Sequence, residues 1–250
     1  MKKIVLAFII ALVTISAGQT FAQQDPNDPG DPDTVWFCPD TLYAPVLGGE
    51  PKGLLNIMLA NDDSVGAVSV PLVWDGTVTL DSVSFVNTRV ESLEFNTVYI
   101  DPIEKKVLVC NIPVEEEPIA PGRGKIGTLV FSFEELNPIT LDTTFMPPNN
   151  HLKCVTLDPK AYRPLFVTPA AFELVIYTPG DADGNQNADI ADIVYLVNYI
   201  LKSGPPPVAL PAGDVNADCE VSLPDVVYLI NYVLKSGPAP LPGCAGVGDC

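Results

Sequence analysis

Between Val35 and Tyr177, apolar and polar residues alternate in short runs cut by turns. Val68, Val70, Leu72 and Trp74 share one side of an extended segment, and Asp75-Gly76 then marks a turn. Leu129, Phe131 and Phe133 repeat the pattern within GTLVFSFE. Further strands are predicted over 54–60, 78–85, 106–111, 139–145, 152–157 and 172–176. About eight strands at this spacing, with no helical periodicity between them, predict an antiparallel β-sandwich over 35–177.

Past Tyr177 the period becomes helical. Ile193, Leu196, Val197, Ile200 and Leu201 form one apolar stripe, and Val226, Leu229, Ile230, Val233 and Leu234 form another. Ser203-Gly204-Pro205 and Ser236-Gly237-Pro238 end them alike, with glycine free to turn left-handed and proline unable to continue a helix. The stripes belong to an internal repeat: residues 180–205 and 213–238 are offset by 33 and identical at 13 of 26 positions. Solenoids generally need at least three copies, so two are predicted to pack on each other. The fold class expected is a mostly β N-terminal sandwich followed by a small α module of two loop–helix repeats.

Each repeat opens on an acidic loop. Asp181, Asp183 and Asn185 alternate and Asp192 follows; Asp214, Asn216, Asp218 and Asp225 hold the same places one repeat later. Oxygen ligands at positions 1, 3, 5 and 12 of a twelve-residue loop suit calcium: three close side chains wrap one hemisphere and the last carboxylate closes the other. Backbone carbonyls of Asn187 and Glu220 would supply position 7, and Asp189 and Ser222 at position 9 would act through water. Two Ca²⁺ sites are therefore expected. Asp189-x-x-Asp192 and Ser222-x-x-Asp225 are also helix-capping patterns, which need no metal. Capping does not explain the earlier alternation of Asp and Asn, twice in register. Position 6, usually glycine, is Gln186 in one loop and Cys219 in the other.

Composition narrows the function classes. Thirteen basic against 31 acidic residues leave a net charge of −18, which disfavours nucleic acid and anionic membrane as partners and favours hard cations. Residues 1–22 read as a secretory signal peptide: Lys2 and Lys3, an apolar run from Ile4 to Ile15, then small residues ending at Ala22. No later stretch is long enough to cross a membrane as a helix, so a secreted, extracellular product is expected. Residues 23–34 are an acidic, proline-rich lead expected to be flexible. Six cysteines then sit in a disulfide-permitting compartment. Placing partners inside or beside one module favours Cys110 with Cys154 and Cys219 with Cys244, although sequence leaves the pairing open.

The paired loop-plus-single-helix arrangement, with Asp at position 12 and no entering helix, resembles a type I dockerin over about 180–238. The resemblance implies two bound calcium ions and docking onto a cohesin-type or other extracellular protein, in polysaccharide-processing machinery. It places partner recognition at loop positions 10 and 11, here Ile190, Ala191, Leu223 and Pro224, where the cellulosomal pattern often has a Ser-Thr pair. Residues 35–177 resemble a cohesin-like or related carbohydrate-binding sandwich, especially over 54–85 and 124–133. The module limits expected are 35–177, then 178–240, then a cysteine-containing tail over 241–250.

No catalytic constellation stands out. Gly122, Gly124 and Gly127 match G-x-G-x-x-G but precede a strand instead of opening a helix. His151 is the single histidine, in a Pro-Asn-rich loop. Glu115-Glu116-Glu117 reads as an exposed loop, not a glycosidase carboxylate pair. Trp36 and Trp74 raise the alternative of a carbohydrate-binding protein or an accessory component of a glycoside hydrolase system, although Trp74 falls on the core side of its strand. Tyr195, Tyr199, Tyr228 and Tyr232 lie off the stripes, at the helix-pair edge or on a partner surface.

Overall fold

A computed structural model describes residues 24–48, 51–114, 117–133, 137–148, 150–169 and 171–247. The signal-peptide segment, Glu115, Glu116 and Cys250 lie outside the described residues. Strands β1 (Thr34–Cys38), β3 (Lys52–Asn61), β5 (Val78–Ser84), β8 (Gly122–Phe133) and β12 (Leu165–Val167) form one sheet, in the order β12-β1-β3-β8-β5. Strands β4 (Val65–Asp75), β6 (Phe95–Asp101), β7 (Lys106–Ile112), β10 (Lys153–Thr156) and β11 (Ala161–Tyr162) form the second, in the order β11-β10-β4-β7-β6, with β9 (Thr140–Thr143) also on β4. A ribbon of β2 (Thr41–Pro45) and β13 (Glu173–Tyr177) completes the β region.

The alternation fixes which faces meet. Val68, Val70, Leu72 and Trp74 of β4 and Leu129, Phe131 and Phe133 of β8 all enter the core. Trp74 and Phe131 meet edge to face across the sheets, their centroids 6.4 Å apart. The G-x-G-x-x-G stretch lies within β8, paired to β3 and away from any helix.

The sandwich departs from the expected purely antiparallel one. β1 pairs with β12 and β2 with β13 in parallel, because the chain re-enters beside its own first strands before leaving for the second module. The acidic lead, expected to be flexible, packs on the sandwich. Asp28 and Asp33 are buried; the Asp33 N–H donates to Asp28 Oδ2 at 3.0 Å, Tyr162 donates its hydroxyl to Asp33, and the Arg163 N–H reaches Asp25 at 3.1 Å.

No disulfide joins Cys110 to Cys154. Cys154 on β10 stands opposite Val68 of β4, while Cys110 on β7 stands opposite Ser69. One strand separates them, about 10 Å at two strand spacings, beyond the roughly 7 Å Cα limit for a bridge. Adjacent partners on β4 also put the two thiols on opposite faces of the sheet. Cys219 and Cys244 are bonded as expected.

The C-terminal third folds as helices α1 (Ile190–Lys202), α2 (Leu210–Gly213) and α3 (Leu223–Lys235). Short α2 enters the second loop, where no entering helix was expected. Leu196, Val226 and Leu229 pack with Ala182 and Val215, the second residue of each loop. Leu201 and Leu234 leave the expected stripes and are 61% and 60% exposed. Ser203 and Ser236 take the left-handed conformation at the helix ends, at φ of 54° and 56°. Glycine follows for closeness instead: a Cβ on Gly204 or Gly237 would lie 3.0 Å from the backbone of Asn198 or Asn231. The modules touch where Tyr177, Tyr43 and Val175 pack on Ala209 and Ala212; within the second module the Gly180 N–H donates to the Ala212 carbonyl at 2.9 Å.

Candidate metal centre

Each loop is wound around its own carboxylates. Asp181 Oδ1 accepts the N–H groups of Gly184 and Asn185 at 2.8 and 2.9 Å, and its Oδ2 accepts that of Gln186 at 2.8 Å. Asp183 and Asn185 each turn back to accept the amide two residues on, at 3.1 and 2.8 Å. Asp192, fully buried in the first turn of α1, reaches back: Oδ1 accepts from Ala182 and Asp183 at 2.8 and 3.1 Å, and Oδ2 from Asp189 at 2.8 Å. The alternating carboxylates thus face one another, and oxygens of Asp181, Asp183 and Asp192 lie within 4.8 Å of each other.

The second loop repeats the winding. Asp225 Oδ1 accepts from Val215 and Asn216 at 2.9 and 3.3 Å, and Oδ2 from Ser222 at 2.8 Å. Asp214 accepts the Asp218 and Cys219 amides at 3.1 Å each, and Asn216 and Asp218 accept those of Asp218 and Glu220 at 2.9 and 3.0 Å. Gln186 and Cys219, at position 6, adopt φ of 72° and 69°. A non-glycine residue there costs about 1 kcal/mol, which the surrounding hydrogen bonds offset. Asp214, Cys219 and Cys244 also cluster, but the two sulfurs are bonded to each other and offer no thiolate.

Capping and metal-type geometry coexist. Asp189 caps α1 by accepting the Ala191 N–H at 2.7 Å, while Asp192 and Asp225 return to the N-cap amides. Burial pushes the Asp192 and Asp225 carboxyls above their ordinary range, opposed by the amides they accept; the Asp183 charge raises Asp192 further, and those of Asp214 and Asp218 raise Asp225. Among the described residues, no ion pair involves a loop carboxylate. Buried carboxylates without a cation are costly, and a carboxylate has about four lone-pair sites, so oxygen remains after the amides are served. This all-oxygen donor set fits a hard divalent cation.

The helices present repeated outer faces. Ile190, Val194 and Leu201 are exposed on α1, and Leu223, Val227 and Leu234 are exposed one repeat later on α3. Ala191 and Pro224 are exposed beside them. Val194 and Val227 were absent from the sequence-derived set; their spacing from Ile190 and Leu223, one helical turn, was the available signal. Tyr195 and Tyr228 pack at the helix-pair edge and donate their hydroxyls to the Pro206 and Ala239 carbonyls at 3.0 and 3.1 Å.

On the sandwich, Trp74 is core, and the Arg123 guanidinium lies 4.3 Å from the Trp36 ring centroid. His151 is exposed and stacks edge to face on Phe145. A groove of about 570 Å³ runs over β6 and β7, lined by Tyr99, Leu108, Phe145 and Met146 with Asp101 and Lys106.

Residues 179–234 match the family model described as Dockerin type I domain. A search of curated proteins finds no match. Among solved structures, the chain is similar to one in a type I cohesin–dockerin complex from Clostridium thermocellum, at 12% identity and a TM-score of 0.45, covering 58% of this chain and 100% of that one. It is also similar to a non-cellulosomal cohesin from the archaeon Archaeoglobus fulgidus, at 14% identity and a TM-score of 0.41, covering 58% and 92%. The seventh ScaB type I cohesin from Pseudobacteroides cellulosolvens matches at 14% identity and a TM-score of 0.42, covering 58% and 92%. No helix among the described residues is long and apolar enough to cross a membrane.

Proposed function

We propose that this chain is a secreted, non-catalytic assembly protein whose C-terminal module docks onto an extracellular partner of cohesin type when calcium is bound. The observation that carries this reading is the pair Asp192 and Asp225: two fully buried carboxylates, one repeat apart, each gathering its own acidic loop. In the first loop Asp181, Asp183, Asn185 and Asp192 would hold one Ca²⁺, with the Asn187 carbonyl and, through water, Asp189. In the second, Asp214, Asn216, Asp218 and Asp225 would hold another, with the Glu220 carbonyl and Ser222. A bound cation supplies positive charge that neutralises each loop, and folding and binding are then linked.

The exposed rows Ile190, Val194 and Leu201, and Leu223, Val227 and Leu234, support docking through the outer helix faces. Ile190, Ala191, Leu223 and Pro224 would make the contact apolar where a Ser-Thr pair would make it polar. The match of residues 179–234 to the dockerin model supports a cohesin-type partner and, with the signal-like leader, a place in extracellular polysaccharide processing. The test is capture of the immobilised full chain by a panel of purified cohesin domains, in calcium and in EGTA. Capture in calcium alone is expected; capture that ignores EGTA, or none across the panel, contradicts the reading.

A second reading, glycan binding, moves from the tryptophans to the groove over β6 and β7, where Tyr99 and Phe145 are exposed beside Asp101. Retention on insoluble polysaccharides that falls in Tyr99→Ala and Phe145→Ala would support it, and unchanged retention would remove it.

A further inference from the structure

The exit segments of the two helices return to their loops in the same way: Val208 donates to the Ala182 carbonyl at 3.2 Å and Leu241 to the Val215 carbonyl at 3.0 Å. The symmetry then breaks. Beyond Leu241 the chain crosses the start of the second loop, where Asp214 Oδ2 accepts the N–H groups of Cys244 and Ala245 at 2.8 and 3.0 Å in addition to that of Cys219. Its counterpart Asp181 accepts from Gly184, Asn185 and Gln186 of its own loop.

This cover is fastened and closely fitted. The disulfide Cys219–Cys244 ties it to position 6 of the loop, the Tyr177 hydroxyl donates to the Gly243 carbonyl at 3.4 Å, and Ala245 is buried. A Cβ on Gly243 would lie 2.4 Å from the Asp214 carbonyl oxygen and 2.5 Å from that of Pro211, so only glycine lets the two backbones approach.

We propose that the segment from Leu241 to Ala245 is a strap, locked by Cys219–Cys244, that sets the Asp214 carboxylate before metal arrives and makes the second loop the tighter calcium site. The inference rests on the calcium reading of the loops. The charge of the directly ligating side chains does not rank them, since Asp181, Asp183 and Asp192 are matched by Asp214, Asp218 and Asp225, and Asp189 opposite Ser222 adds only a through-water charge to the first loop. The strap does: amides fixed on one oxygen of a ligating carboxylate orient the other, and losing such outer partners costs metal affinity. The disulfide also narrows the states open to the metal-free loop.

The test is a calcium titration of the full chain in which backbone amide NMR signals of 181–192 and 214–225 are followed separately, in wild type, Cys219→Ser/Cys244→Ser and Gly243→Ala. In wild type the second loop should saturate first. Both variants should need about 10-fold to 100-fold more calcium there, with the first loop unchanged. Gly243→Ala lifts the strap while keeping the disulfide, so the test survives if the double variant fails to fold. Equal weakening of both loops, or no change in the second, overturns the strap. A wild type in which neither loop saturates overturns the calcium reading instead, and the strap with it.

Discussion

The Asp192 carboxylate accepts the Ala182 N–H at 2.8 Å, tying the first turn of α1 to the second residue of the loop before it. Asp225 holds Val215 in the same way at 2.9 Å. Ala182 and Val215 are themselves core residues, so one contact serves both loop shape and helix packing. Asp192→Ala should therefore destabilise the C-terminal module even without metal, by about 2–5 kcal/mol, because three accepted amides lose their partner and one of them is buried. Chemical denaturation of the two proteins in EGTA checks this; equal midpoints would contradict it.

Leu196 is fully buried between the helices, whereas Leu201 and Leu234 face out. Leu196→Ala is expected to cost about 2–5 kcal/mol. Leu201→Ala and Leu234→Ala should stay within about 0.5 kcal/mol while weakening partner capture. Melting curves beside binding curves separate the two effects, and a large loss of stability at Leu201 would contradict the assigned faces.

Cys110 and Cys154 are buried on opposite faces of one sheet, and burial raises the Cys154 thiol far above its ordinary value. Neither should react with iodoacetamide in the native protein. Both should be alkylated after unfolding without reductant, as read by peptide mass spectrometry. A Cys110–Cys154 cross-linked peptide would contradict the register.

Asp28 carries a pH signal. Burial, with the charges of Asp33, Asp62 and Asp25, raises its carboxyl from 3.8 to about 6, against the pull of the Asp33 amide. Its native form holds the proton more tightly than the unfolded chain. Its stabilising contribution is therefore full below about pH 4, falls as pH rises towards 6 and is absent above. Asp28→Asn should flatten that decline and raise stability at pH 7 by about 2 kcal/mol. Denaturation midpoints between pH 4 and 7 test this; an equally steep decline in the variant contradicts it.

The parts legible in the sequence were those whose partners are close in the chain. Asp181 to Asp192 is one loop, and ligand spacing, caps and helix stripe can all be read within a few turns. The strands β3, β4, β7 and β8 were legible because one face of each alternates into a single core. The strand β6 was not: Phe95 and Tyr99 lie outward while Val98 and Ile100 pack on the core, so apolar residues on both faces blur its alternation. The parallel pairs β1 with β12 and β2 with β13 depend on distant segments, which local pattern does not encode. The cysteine pairing failed at Cys110 for the same reason, since face and register emerge only once β4 lies between the two strands. The stripes were read one residue too wide at Leu201 and Leu234, which lie about three turns on from Ile190 and Leu223 and share their outward faces.

The central claim is that two matched acidic loops each hold a divalent cation and so order the helix pair. The most direct measurement is calorimetric titration of metal-stripped full-length protein with Ca²⁺, with amide exchange followed across 181–192 and 214–225. Two ions bound per chain and protection rising in both loops is the result expected. No binding heat, with the same protection in EGTA as in calcium, would contradict it.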